Sequence, residues 1–189
     1  MTKKYPRTYE YFTMLRAPLG ERKSQVIRDL ADAQAFYFIY SVKDYTLAPY
    51  KVVWKEQSSQ LQCAVVHSHD GKVIVPDHKL MLVAFDDQTE AHYVCAILNS
   101  TPSRFVVFSY AISIQLGPHL LENIKIPKCD PKNDTHKELA TLSKQCHEKV
   151  AAGISVSDLE EQIDELAAEL WGLSKEELKD IKESLEEMR

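Results

Sequence analysis

The run Pro76-Asp77-His78-Lys79 holds residue types used by metal-dependent nucleases. In such sites two separated acidic groups grip the cation and a lysine attends the attacking water. Here one aspartate would have to serve in both acidic places, so the run also reads as a polar turn entering a strand. Cys63, His67 and His69 share strand parity and suggest three metal ligands. No fourth ligand stands at a usual spacing, and Cys129, His136, Cys146 and His147 fit no zinc pattern either. The G-x-S-x-G, P-loop and G-x-G-x-x-G signatures are absent, and five glycines leave little material for a phosphate-cradling loop. The expectation is a chain with no catalytic residues, metal or cofactor of its own.

What remains is a scattered set of cationic and hydrogen-bonding residues where loops meet strands: Lys51 and Lys55; His78 and Lys79; Arg104; Ser113, Gln115 and His119; and Lys125. These are side-chain types that grip phosphate and read base edges. A net charge of −5 argues superficially against such a partner, but the charge is uneven. Residues 1–132 carry 16 Lys and Arg against 13 Asp and Glu, whereas residues 133–189 carry 7 against 15. A mildly basic body is masked by an acidic tail, which leaves double-stranded DNA open as a partner.

The elements that must position these residues follow from periodicity and punctuation. At 189 residues with 44% hydrophobic and 27% charged content, the chain can bury a proper core in one domain with an appendage. No apolar run approaches the roughly 20 residues of a membrane helix, and the N-terminus lacks a secretory apolar stretch. Four separated cysteines read as free thiols in a reducing cytoplasm. Residues 1–35 are expected as a helical lead-in from a catalytic domain, opened by Pro6. Residues 36–132 are expected as an α+β domain with four or five strands, at least partly antiparallel: Phe36–Val42, Tyr50–Glu56, Leu61–His67, Lys72–Val75 and Lys79–Phe85. Asp70-Gly71 marks a hairpin between two of them. Helices then cover the sheet: one capped by Asp87 with Glu90, and one opened by Thr101-Pro102. Residues 133–189 are expected as a helical spacer, with capping signals at Thr135, Ser157 and Ser174 and stops at Gly153 and Gly172. Its last two helices should form a hairpin that packs on something.

Five stretches together carry a family likeness. They are A-P-Y-K-V-V-W-K-E at 48–56, V-P-D-H-K-L at 75–80, C-A-I-L-N-S-T-P-S-R at 95–104, L-L-E-N-I-K-I-P-K-C-D-P at 120–131 and D-E-L-A-A-E-L-W-G-L at 164–173. In this order and spacing the chain resembles the TaqI-like C-terminal specificity domain. That domain is the target-recognition part of adenine-specific DNA methyltransferases and of fused restriction–modification enzymes. The resemblance implies a DNA-binding module that chooses the site. An upstream methyltransferase domain, in cis or in trans, would bind S-adenosylmethionine and methylate a flipped adenine. A fused nuclease domain, where there is one, would use Mg²⁺. The methyltransferase signature (N/D)-P-P-(Y/F) is absent, since Asp130-Pro131 continues as Lys132-Asn133. The resemblance also implies that the 48–56 strand is framework, with Lys51 and Lys55 reaching phosphate at most. Two other classes stay open at this point: a protein-interaction module docking through its helical tail, and a nuclease fragment acting through Asp77 and Lys79.

Overall fold

A computed structural model describes residues 1–40, 42–110 and 115–187. The chain falls into two compact units, Met1–Lys43 and Asp44–Arg189. The first unit holds α1 (Pro6–Met14), α2 (Arg16–Gly20) and α3 (Gln25–Ala33). Its only buried residue among those described is Ala31, and aromatic rings hold it together instead. Tyr9 and Phe12 of α1 meet Phe36 and Tyr37 with ring centroids 5.8–6.2 Å apart, and the Arg16 guanidinium lies 4.2 Å from the Phe36 ring centre. The expected strand Phe36–Val42 is therefore not one. Where it is described, the segment is irregular, because its rings are used locally against α1 rather than against a neighbouring strand. Ser41 lies outside the described residues. The division of the chain falls eight residues later than the sequence reading placed it.

The second unit is α+β, built on a small antiparallel sheet of order β2-β1-β3 with β1 (Tyr50–Lys55) at its centre, β2 (Cys63–His67) and β3 (Leu80–Phe85). Every pairing is antiparallel: Val52 stands opposite Val65 and Val83, and Trp54 opposite Cys63 and Met81. Asp70 and Gly71 both take positive φ (49° and 70°), the conformation a two-residue type I′ turn demands. The returning strand, however, shrinks to the single bridge His69–Lys72, and residues 73–77 run on without a ladder.

Helix α4 (Gln88–Asn99) crosses all three strands, and Asp87 Oδ1 caps it by accepting from the Glu90 N–H at 2.8 Å. The sequence shows one apolar stripe on α4, yet its residues are buried nearly all round. One side joins Val52, Trp54, Leu61 and Val65 of the sheet layer. The other packs Tyr93, Ala96 and Ile97 on Leu139 and Leu142 of α7 (Asp134–Ala151) and Leu159 and Ile163 of α8 (Ser157–Leu170). A helix placed between two layers needs an apolar surface all round. The supposed spacer is thus an outer layer of the same unit. Two further helices complete it, α5 (Thr101–Tyr110) and α9 (Lys175–Glu187), with the short α6 (Pro118–Leu121) between α5 and α7.

Local punctuation in the tail holds at the glycine stops and at Ser174, but not at Thr135 or Ser157, which cap neither α7 nor α8. Asn133, not Thr135, caps α7 through its Oδ1, and Gly153 and Gly172 both take positive φ just past a helix end. Ser174 and Glu177 exchange reciprocal capping bonds at 2.8 and 3.2 Å, while α8 starts without a side-chain cap. Polar side chains join the layers. Asp164 (7% exposed) accepts from both the N–H and the hydroxyl of Thr101 at 2.7 Å. The edge of β2 is closed by side chains: Asn99 bonds both backbone groups of Cys63 at 2.8 Å, and His147 Nε2 accepts from the Val65 N–H at 2.8 Å. An edge strand whose outward groups are engaged in this way is no template for another strand. Among the described residues no helix is long and apolar enough to cross a membrane.

Candidate nucleic-acid interface

One end of the sheet gathers most of the residues singled out from the sequence. Lys55 closes β1 opposite Leu80, the first residue of β3. Just beyond, the Glu56 N–H donates to the Lys79 carbonyl at 2.9 Å, and the Leu116 N–H donates to the Glu56 carbonyl at 2.6 Å. Gln57 bridges Gln115, so the segment of residues 115–116 is laid antiparallel along the continuation of β1. Trp54, 2% exposed, fixes that segment from below by donating Nε1–H to the Leu116 carbonyl at 2.8 Å. His119 folds back over Gly117: a Cβ at Gly117 would stand 2.8 Å from His119 Nδ1, so the residue there must be glycine for the ring to lie as it does.

The Asp77–Leu80 turn is the bland alternative that its sequence allowed. The Leu80 N–H donates to the Asp77 carbonyl at 2.9 Å, and Asp77 Oδ1 accepts from the Lys79 N–H at 3.1 Å. That backbone bond, and then the neighbouring His78 at 3.1 Å, hold the Asp77 carboxyl below its usual range. The carboxylate is committed to shaping the turn, which leaves the His78 and Lys79 side chains exposed at its tip. Among the described residues no group of three or more His, Cys, Asp or Glu is placed to hold a metal ion.

Lys55, His78, Lys79, Gln115 and His119 are all exposed, and these backbone links bring them to one place. The other residues of the set stand apart. Lys51 is corrected outright: it is 1% exposed, and its ammonium donates to the Ala48 carbonyl at 2.6 Å. Burial holds its pKa below the usual lysine value, and a buried ammonium cannot reach a phosphate. The alternation in β1 predicts a solvated face, but the central strand of a covered sheet is buried on both. Arg104 is half-buried and lines a cleft among the helices. Lys125 is exposed on a loop, and its own carbonyl accepts from Trp171 Nε1 at 3.1 Å. Ser113 lies outside the described residues.

Sequence reasoning missed Gln57 and Gln60, both exposed on the loop between β1 and β2 beside this end. The signal was the polar run Gln57-Ser58-Ser59-Gln60 directly after the aromatic strand. The group therefore combines two lysines with amide and imidazole side chains. Ammonium groups pair with phosphates wherever they stand, whereas an amide can bond bidentately to the N6 and N7 edge of adenine. Glu56 and Asp77 lie in the same region, so the positive field is local to the lysine tips. No protein-family model matches this sequence, and no curated protein matches it.

Proposed function

We propose that this chain is the DNA target-recognition module of an adenine-specific methyltransferase or restriction–modification enzyme. In this reading the chemistry, with its S-adenosylmethionine, belongs to a separate methyltransferase domain. The observation that carries the reading is the meeting of Lys55, His78, Lys79, Gln57, Gln115 and His119 at one end of the sheet. It is supported by the resemblance of five stretches of sequence to the TaqI-like specificity domain. Lys55 and Lys79 would neutralise phosphates and set register, giving affinity that is blind to sequence. The amides on adjoining segments would then discriminate base edges, each good pair contributing about 1–3 kcal/mol.

The test is duplex binding by fluorescence anisotropy across a salt series. The logarithm of affinity should fall linearly with the logarithm of salt concentration, and Lys55→Ala and Lys79→Ala should each lower that slope by about 0.9. Gln57→Ala and Gln115→Ala should flatten discrimination between duplexes while leaving the slope alone. Slopes unchanged in both lysine variants would remove the sheet end as the interface. No binding to any duplex at low salt would turn the assignment toward a protein-docking module.

A further inference from the structure

Between β2 and the helical layers lies a cleft of about 470 Å³, within the size range of small-molecule sites. Its floor is Cys63, Ala96 and Ile163, all buried, and Val150, Ala151 and Glu160 form an exposed rim. Most polar groups around it are already engaged. Asn99 is held by both backbone groups of Cys63. His147 donates Nδ1–H to the Ser143 carbonyl at 2.7 Å and accepts at Nε2 from Val65. Arg104 is the exception: its Nε is buried and, among the described residues, has no hydrogen-bond partner. The guanidinium also makes no ion pair with any described residue, although Glu160 lines the same cleft. Its charge reaches the cleft floor. Burial and then Cys95 push the Cys63 thiol up, and Arg104 pulls it the other way.

A guanidinium that lines an apolar cleft and has no ion pair among the described residues is the kind of group an anionic ligand neutralises. The two terminal nitrogens of the planar guanidinium match the two oxygens of a carboxylate. The apolar floor calls for a hydrocarbon body, while the Glu160 charge at the rim disfavours a dianion such as a phosphate monoester. We propose that this cleft binds a small monocarboxylate with an apolar body, its carboxylate held by Arg104. The site is separate from the sheet end and stands or falls independently of DNA binding.

Sodium octanoate and 1-octanol are the probes, titrated into the full chain by calorimetry. Octanoate should bind one-to-one, at least about tenfold tighter than the alcohol. Arg104→Gln, which removes no side-chain hydrogen bond to a described residue, should bring acid and alcohol to parity. Ala151→Phe, at the exposed rim, should weaken both while preserving their ratio, and it gives a second variant if Arg104→Gln does not fold. Equal affinity for acid and alcohol, absence of saturable octanoate binding, or undiminished preference for the acid in Arg104→Gln would each overturn the proposal.

Discussion

Lowering the pH should destabilise this protein in a window assigned to one histidine. His92 is 5% exposed on α4, with its Nδ1 hydrogen-bonded to Ser143 Oγ at 3.0 Å. Its ring meets that of His147 edge-on, with centroids 5.0 Å apart. Burial first, and then the charges of His147, Lys144 and His67, lower its pKa from 6.5 to about 4. Above pH 6.5 the ring is neutral in both folded and unfolded chains and contributes no pH dependence. Between 6.5 and about 4 the unfolded chain takes up a proton that the folded chain refuses, so stability falls as pH falls. The loss attributable to this ring is about 2 kcal/mol by pH 5 and about 3 kcal/mol across the whole window. Urea unfolding followed by circular dichroism from pH 7.5 to 4.5 measures it, with His92→Gln as the reference that lacks the titrating ring. The wild-type curve should descend more steeply than that of the variant. Parallel descents between pH 7 and 5 would refute the reasoning, because the other histidines are common to both proteins.

Two further substitutions test the buried polar groups. Lys51→Met should leave stability unchanged or raise it, since the ammonium has one carbonyl acceptor and sits in an apolar layer. The same variant should keep the wild-type salt slope for duplex binding, and a reduced slope would return Lys51 to the interface. Asp164→Ala should cost about 3 kcal/mol in chemical denaturation, because it strands the Thr101 N–H and hydroxyl and removes one partner of Lys182. Asp164→Asn, which keeps the acceptor, should recover part of that loss.

What could be read from the chain alone was mostly short-range. The Asp87 cap, the Asp70-Gly71 turn, the Ser174–Glu177 box and the glycine stops at 153 and 172 join residues a few positions apart, so the partners stand together in the sequence. The three real strands were legible for the same reason: β-branched and aromatic runs bounded by turn residues. The α+β class and the small sheet followed from them. The false strand at 36–42 has the same composition as a true one, because nothing in a run of rings says whether a strand or a helix will receive them.

Tertiary structure decided the rest, and the reason is that burial is a property of neighbours. Alternation in β1 told which residues share a face but not that both faces would be covered, so Lys51 looked solvated and is not. The stripe on α4 declared one partner layer, while the second layer is supplied by α7 and α8, about forty residues or more further on. His147 closes the β2 edge across 82 residues, and Trp54 fixes Leu116 across 62. The sequence by itself determined which side chains were available for recognition. Only folding decided that Lys55, Lys79, Gln57 and Gln115 meet at one end of the sheet, and that Arg104 lines an apolar cleft with no ion pair among the described residues.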